Sequence, residues 1–320
     1  MNIPEYAAAM TAQAEKLILG KREKIRLILM ALLAEGHILL DDLPGVGKTT
    51  LVKALALASG CEARRVQFVP DLLPADITGM NIYDQKTGEF RRLPGPVFTN
   101  ILLADEINRA VPRTQSALLE AMEEKCVTID GQTLPLPAPF MVMATQNPVE
   151  SESTFRLPAA QMDRFLIRLS MGYPDPAEEK QMLFALGDTM PFDAVEAVAD
   201  PETVLALRGQ VAAVSVSDEV AEYIIALTTA TRSFPGVVMG ASPRASRALY
   251  RASKAWAAME GRDYVIPDDV KYLAPFVLAH RLQLSSESRL SGLRAEAVVA
   301  RILQDTPVPP EKARLFHGKE

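Results

Sequence analysis

The chain has 320 residues, of which 48% are hydrophobic and 23% are charged. That balance suits a globular chain that buries a sizeable core, and the length favours two domains. The net charge of −6 argues against nucleic acid as the main partner, because phosphate contacts need clustered lysine and arginine. Two cysteines without metal-ligand spacing predict structural thiols in a reducing compartment.

The N-terminus does not have the pattern of a signal peptide. No uninterrupted apolar run approaches the ~18 residues that a membrane span needs. We therefore expect a cytoplasmic protein with no membrane span.

Short apolar runs alternate with helical segments up to about residue 190. Five of these runs predict strands, at residues 37–41, 65–69, 100–104, 140–145 and 165–170. The alternation predicts an α/β fold with a doubly wound parallel sheet and helices on both faces. A ligand is expected at the carboxyl ends of the strands.

A glycine-rich turn follows the first predicted strand and precedes a helix rich in alanine and leucine. Glycines let backbone N–H groups converge on phosphate oxygens, and the helix N-terminus adds a positive dipole. Lys48 would then reach the β- and γ-phosphates, and Thr49 would ligate Mg²⁺. Asp42 stands where the complete motif has its first glycine, and an ordinary glycine-rich turn is the alternative. The predicted nucleotide-binding residues are Pro44, Gly45, Val46, Gly47, Lys48, Thr49 and Thr50.

The third predicted strand ends in two adjacent carboxylates, Asp105 and Glu106. A buried strand that ends in this way places its acids at the ligand edge of a parallel sheet. Asp105 is suited to the Mg²⁺ shell, and Glu106 is suited to orienting or deprotonating the attacking water. Two acids that open a helix are the alternative, but Lys48 upstream favours the phosphate site.

Two segments interrupt the alternation of strands and helices. Residues 76–96 predict a hairpin or an irregular loop, and residues 126–139 predict a second hairpin. Asp130 and Gly131 in the second segment form a strong turn signal. Both segments can be surface decoration or contacts for a partner.

After about residue 190 the pattern becomes helical. Ser217 and Ser242 are suited to cap helices, and Pro243 occupies a first helical position. Pro267 opens a further helix, and residues 293–304 predict the last one. We expect an α/β domain over residues 1–190 and a helical domain over residues 191–320.

Several extended stretches resemble the signatures of MoxR-type AAA+ ATPases, a helix-2-insert clade related to magnesium-chelatase-type ATPases. The stretches follow the expected order, at residues 67–79, 105–122, 144–148, 157–165 and 241–244. The resemblance implies a P-loop AAA+ module with a five-stranded parallel sheet, followed by a smaller all-α lid domain. Residues 76–96 then correspond to the helix-2 insert and residues 126–139 to the pre-sensor-1 hairpin, which engage the client in relatives.

The resemblance implies catalytic roles for further polar residues. Asn147 matches sensor 1, which helps to place the attacking water, and Arg244 matches sensor 2, which contacts phosphate. Arg164 matches an arginine finger that reaches the nucleotide of a neighbouring subunit. Arg156 stands nearby and competes for that role.

The resemblance also implies roles around the nucleotide base and the catalytic acid. Ile18 and Gly20 match positions that pack adenine. Gln67, at the end of the second predicted strand, is placed to hold Glu106 in an inactive pose.

The implied function is Mg²⁺-dependent ATP hydrolysis by a ring, with a hexamer favoured. The ring would act as a chaperone-like remodelling or maturation ATPase on client proteins, with a partner that carries a von Willebrand factor A (VWA) domain. A nucleic-acid-linked AAA+ motor or loader is the alternative, which the acidic balance disfavours. A regulatory subunit that only binds ATP is another, which the paired acids at residues 105 and 106 disfavour.

Overall fold

The computed structural model describes residues 1–41, 47–146, 155–186 and 191–309. The chain divides into two compact units, Met1–Ala213 and Val214–Glu320.

The first unit alternates helices and strands. In chain order its elements are α1 (Ile3–Glu15), α2 (Arg22–Leu33), β1 (Ile38–Asp41), α3 (Lys48–Ser59), β2 (Ala63–Gln67), α4 (Pro74–Thr78), β3 (Gly79–Asp84), β4 (Glu89–Pro94), β5 (Ile101–Asp105), α5 (Pro112–Glu124), β6 (Cys126–Ile129), β7 (Gln132–Pro135), β8 (Met141–Gln146), α6 (Ala159–Met162), β9 (Ile167–Leu169), α7 (Pro176–Leu186) and α8 (Pro201–Ala213).

Five strands form a parallel sheet in the order β2-β5-β8-β1-β9. They are the five strands that the apolar runs predict. Residues 38–40 of β1 are fully buried, as expected for a strand that is covered on both faces. Helix α3 packs against β2 and β5. The core that includes α5 contains Leu102, Val142, Leu118 and Leu119.

Both predicted interruptions contain antiparallel hairpins. Residues 76–96 include most of the short helix α4 and the hairpin β3–β4, and residues 126–139 include β6–β7. Asp130 and Gly131 have φ values of 47° and 80°, which a two-residue hairpin turn requires. The Asn81 amide donates to Asp130 Oδ2 at 2.8 Å. This bond ties the two hairpins together.

The first unit continues through α8, beyond the predicted boundary at residue 190. Arg208 on α8 donates from Nε to the Leu32 carbonyl of α2 at 3.0 Å. Val198 N donates to the Ala58 carbonyl of α3 at 2.8 Å. These bonds join the segment before and within α8 to the α/β unit, and so the division falls after Ala213.

The second unit contains α9 (Asp218–Ser233), β10 (Val237–Met239), α10 (Pro243–Met259), α11 (Pro267–Leu278), β11 (Gln283–Leu284), α12 (Ser286–Leu290) and α13 (Ala295–Asp305). It is helical as predicted, and Ser217 and Ser242 cap α9 and α10. The unit also contains the antiparallel ribbon β10–β11, which the sequence did not predict. Strands of three and two residues are too short to show a period-2 pattern.

Across the described ranges, none of the helices has both the length and the apolar character needed to cross a bilayer.

Candidate active site

Helix α3 begins at the end of the predicted phosphate loop. Gly47 has a left-handed φ of 79°, and Lys48, the first helical residue, is buried. A Cβ atom added to Gly47 would lie 3.6 Å from Ile18 Cδ1. The predicted adenine-packing side chain therefore lies beside the start of α3. Pro44, Gly45 and Val46, together with Asp42, lie outside the described residues, whereas Thr49 and Thr50 lie in the first turn of α3.

Gly20 lies in the connection between α1 and α2 with a φ of 70°. A Cβ atom there would collide with the Glu178 carboxylate, so the backbone approaches α7 closely. Lys21 Nζ donates to the Tyr173 carbonyl at 3.1 Å. These contacts hold the connection that carries Ile18 against the segment that follows β9.

One buried hydroxyl joins the two acids at the end of β5. Thr145 on the neighbouring strand β8 donates from Oγ1 to Asp105 Oδ1 at 2.6 Å. The same oxygen accepts a hydrogen bond from the Glu106 backbone N–H at 2.7 Å. Glu106 has a φ of 56°, a left-handed conformation that costs about 1–3 kcal/mol in a residue other than glycine. The bond that Thr145 accepts from the Glu106 N–H helps to offset that strain, and the two bonds of Thr145 fix the acids relative to each other.

Each acid also has a cationic partner. Asp105 Oδ2 accepts bonds from Arg65 Nη2 at 2.7 Å and from Arg65 Nε at 3.2 Å. Glu106 Oε2 accepts bonds from Arg109 Nη1 and Gln67 Nε2, both at 3.0 Å. The contact between Gln67 and Glu106 is the one that the sequence analysis expects. Two guanidinium groups thus balance the two carboxylates.

A buried amide holds the turn that follows Glu106. Gln115 Nε2 lies within hydrogen-bond distance of the carbonyls of Ile107, Ala110 and Phe155, at 3.2, 3.1 and 3.0 Å. Gln115 therefore ties the turn after the acids to the backbone at Phe155.

Of the remaining predicted catalytic residues, Arg164 and Arg156 lie in the first unit and Arg244 lies in the second. Asn147 lies outside the described residues. Arg164 donates from Nη1 to the Leu119 carbonyl at 2.6 Å and pairs with Glu123 at 3.0 Å, both on α5 of its own chain. Arg156 is exposed in the first unit, and Arg244 is exposed in the first turn of α10 in the second unit.

Three polar residues at the acids have no role in the sequence analysis: Arg65, Arg109 and Thr145. The alternation of side chains along β2 could have identified Arg65 as a neighbour of the acids. Arg65 lies two residues before Gln67 and therefore on the same face of the strand. Thr145 and Arg109 lie within the stretches that resemble the family, but their contacts depend on strand pairing and on the turn after β5.

The chain matches the model of the "ATPase family associated with various cellular activities (AAA)" over residues 37–167 and that of the AAA lid domain over residues 229–302. It is 51% identical to Bacillus subtilis YeaC, with 93% of each chain covered. It is 41% identical to Chaperone MoxR1 of Mycobacterium tuberculosis, over 94% of this chain and 82% of that protein.

A crystal structure from Cytophaga hutchinsonii has a TM-score of 0.90 and 38% identity, with 96% of both chains covered. Fold, motifs and relatives agree on a nucleotide-binding enzyme with a helical lid domain. The chain belongs to the MoxR family of AAA ATPases, and its activity is ATP hydrolysis.

Proposed function

We propose that this ATPase is Mg²⁺-dependent and remodels or matures client proteins as a ring. The observation that carries the proposal is the pair Asp105 and Glu106, joined through Thr145 at the carboxyl edge of the sheet. Parallel strands direct their carboxyl ends to one edge, where β1 also leads toward α3 and Lys48. Phosphate binding and water activation would then take place at the same edge.

The oxygen donors at this edge suit Mg²⁺. Asp105 supplies a carboxylate and Thr49 a hydroxyl, and hard oxygen ligands are those that Mg²⁺ prefers. Within the described ranges no group of three or more His, Cys, Asp or Glu residues could hold a metal ion. The protein would therefore hold the ion with few groups and depend on nucleotide oxygens for the rest, which is the usual arrangement for Mg²⁺. The ion would neutralise charge on the β- and γ-phosphates.

In the proposed mechanism the residues of the chain divide the work. Lys48 and Arg244 steady the phosphates, while Asn147 helps to place the attacking water. Glu106 orients this water and accepts its proton. Before that step, Glu106 must turn toward the water from Gln67 and Arg109, which share its Oε2 atom. Ile18 and Gly20 line the position of adenine.

The test of phosphate binding compares two lysines of α3. Lys48→Ala should weaken binding of a fluorescent ATP analogue by at least about tenfold, because it removes a direct phosphate contact. Lys53→Ala is the matched control on the same helix, where Lys53 lies over the Phe192 ring. Binding and phosphate release are both measured with and without Mg²⁺. Equal binding by the two variants, or turnover that does not depend on Mg²⁺, would contradict the proposal.

We further propose that a complete site needs a neighbouring subunit, with a hexamer as the favoured assembly. Arg164 would act as the arginine finger in trans, after exchanging its bonds to α5 for the nucleotide of the next subunit. Arg156 is the competing candidate and is exposed. Arg164→Ala should bind ATP without hydrolysing it, and mixing it with Lys48→Ala should restore part of the turnover. Restoration by Arg156→Ala but not by Arg164→Ala would transfer the role to Arg156.

The insert hairpin β3–β4 is the proposed contact for a client protein. Its Tyr83 and Phe90 side chains are 56% and 74% exposed, respectively, and stack against each other edge to face. Exposed apolar groups of this kind mark interaction sites. A VWA-domain protein is the proposed partner that delivers the client. The two cysteines without a disulfide suit a reducing compartment such as the cytoplasm.

Client binding can be tested with a trapped ATPase. Glu106→Gln, loaded with ATP, should retain a client or a VWA-domain protein that Tyr83→Ser/Phe90→Ser in the same background releases. Mass spectrometry identifies the retained proteins. DNA or RNA that stimulates ATP turnover, with no protein retained, would instead favour the nucleic-acid-linked motor.

A further inference from the structure

The guanidinium of Arg65 contacts Asp105 directly and is linked to Glu106 through the side chain of Gln67. Its Nη2 atom donates both to Asp105 Oδ2 and to Gln67 Oε1, each at 2.7 Å. Gln67 in turn donates from Nε2 to Glu106 Oε2 at 3.0 Å. Strand pairing explains the arrangement, because Gln67 is directly opposite Asp105 and Arg65 lies two residues earlier on the same face of β2.

Arg65 favours the orientation of the Gln67 amide that directs its NH₂ group to Glu106. Arginine has only donors, so the amide must turn its oxygen toward Arg65. Its NH₂ group then points to the carboxylate of Glu106, which can only accept when it is ionised. Arg65 and Glu106 therefore hold the amide in one orientation from its two ends.

Arg65 also occupies the part of Asp105 that a cation would use. Oδ2 accepts both bonds from Arg65, and Oδ1 accepts the bond from Thr145. A divalent cation needs a lone pair of this carboxylate, and it repels a guanidinium at short range. Breaking the bonds between Arg65 and Asp105 costs little free energy, because the Arg65 side chain is 49% exposed and exposed ion pairs contribute little stability.

We propose that Arg65 is a positioning residue that couples cation binding at Asp105 to the release of Glu106. While Arg65 holds Asp105, it also orients the amide that restrains Glu106. A cation at Asp105 displaces Arg65, which weakens the hold of Gln67 on Glu106, one of the two contacts that keep this carboxylate from turning toward water. The inference rests on the proposed Mg²⁺–nucleotide site and names a regulating contact within it.

Arg64 supplies a matched control on the same strand. It points to the opposite face of β2, is 40% exposed and pairs with Glu62 at 2.7 Å. Arg64→Met therefore removes an exposed arginine and an ion pair from β2 without touching the acids. An effect that comes only from lost charge or from a weakened edge strand would appear in both variants.

The first measurement is a Mg²⁺ titration of the full chain with a non-hydrolysable fluorescent ATP analogue. Arg65→Met should lower the half-saturating Mg²⁺ concentration by about threefold to fivefold, because the competing guanidinium is gone. Arg64→Met should match the wild type. A half-saturating concentration in Arg65→Met that equals or exceeds the wild-type value would overturn the proposal. If the wild type itself shows no Mg²⁺-dependent binding, the proposed function fails instead.

The second measurement tests the link to Glu106 through turnover. Arg65→Met and Gln67→Ala should change turnover in the same direction, and the double variant should change it no further than one of them does. Additive effects would contradict the link. If Arg65→Met does not fold, Arg65→Lys replaces it in the turnover measurement. Its single ammonium keeps a bond to Asp105 but lacks the planar fork, so its turnover should follow that of Gln67→Ala.

Discussion

Two arginine–aspartate pairs in this chain have the same chemistry and different geometry. In the second unit, Arg262 approaches Asp269 with both terminal nitrogens, one to each carboxylate oxygen, at 2.7 and 2.5 Å. Asp269 is 4% exposed and also accepts a bond from the Ile266 N–H at the start of α11. In the first unit, Arg65 uses a single oxygen of Asp105, and its own side chain is 49% exposed.

The comparison separates a pair that stabilises the fold from a pair that can be exchanged. The fork at Asp269 gives both oxygens of a buried carboxylate a charged donor, and its bonds raise the pKa of Arg262 above the ordinary value. The pair at Asp105 is more open to water, so another cation can take the place of Arg65. Loss of the first should therefore affect stability, and changes around the second should affect turnover.

The largest effect is expected from substitution of Glu106, which follows Asp105 of the exchangeable pair. Glu106→Gln should lower turnover by about 10²–10⁴-fold while ATP binding persists, because it removes the proposed general base. Glu120→Gln, on the exposed face of α5, is the control and should keep wild-type turnover. Phosphate release and analogue binding are measured side by side. Wild-type turnover in Glu106→Gln would remove this residue from the mechanism.

Loss of the Arg262–Asp269 pair in the second unit should give the next largest effect, which is a loss of stability. Arg262→Met should lower the free energy of unfolding by about 2 kcal/mol, because it leaves the buried Asp269 without its cation. Arg301→Met breaks an exposed pair with Asp305 in the same unit and should change it by less than about 0.5 kcal/mol. Urea denaturation followed by circular dichroism measures both. Similar values for the two variants would mean that the fork is no stronger than a surface pair.

A smaller effect is expected at the hydroxyl that joins the two acids. Thr145→Val keeps the side-chain volume but leaves the Glu106 N–H without its acceptor and Asp105 without a donor. We expect turnover to fall by about tenfold, which corresponds to ~1.4 kcal/mol. Thr128→Val, at an exposed position on β6, provides the comparison. Undiminished turnover in Thr145→Val would show that the arginines alone hold the acids.

The smallest effect is expected at the amide on β2. Gln67→Ala removes one hydrogen bond that restrains Glu106, so basal turnover should rise by about twofold to threefold. The measurement is steady-state phosphate release at saturating ATP and Mg²⁺. A fall in turnover would mean that Gln67 supports the active position of Glu106 rather than restraining it.

Local sequence patterns predicted most of the first unit. Apolar runs identified all five strands of the sheet. Strands β1, β5 and β8 are buried on both faces and need apolar side chains in succession, whereas β2 is an edge strand with two exposed arginines. The Asp130–Gly131 turn was also predictable, since few residue pairs accept two left-handed conformations. By contrast, the boundary after Ala213 depends on bonds such as that of Arg208 to the α2 backbone, which no local pattern encodes.

The sequence identified some residues of the candidate site, but not the network that joins them. Asp105 and Glu106 are visible as acids at a strand end, and Gln67 was expected to contact Glu106. Arg65 and Thr145 reach the acids only because β2 and β8 flank β5 in a defined register.

By itself, the sequence determined the strands, the helix starts and the residue types at the strand ends, because these depend on backbone preferences and on periodic burial. Only the tertiary structure decided which side chains form hydrogen bonds to the same carboxylate. Hydrogen bonds act over about 3 Å, and it is the order and register of the strands that bring residues some 40 positions apart to that distance. Strand register left the Arg65–Asp105 pair open to exchange, whereas the local turn into α11 buries the Arg262–Asp269 fork.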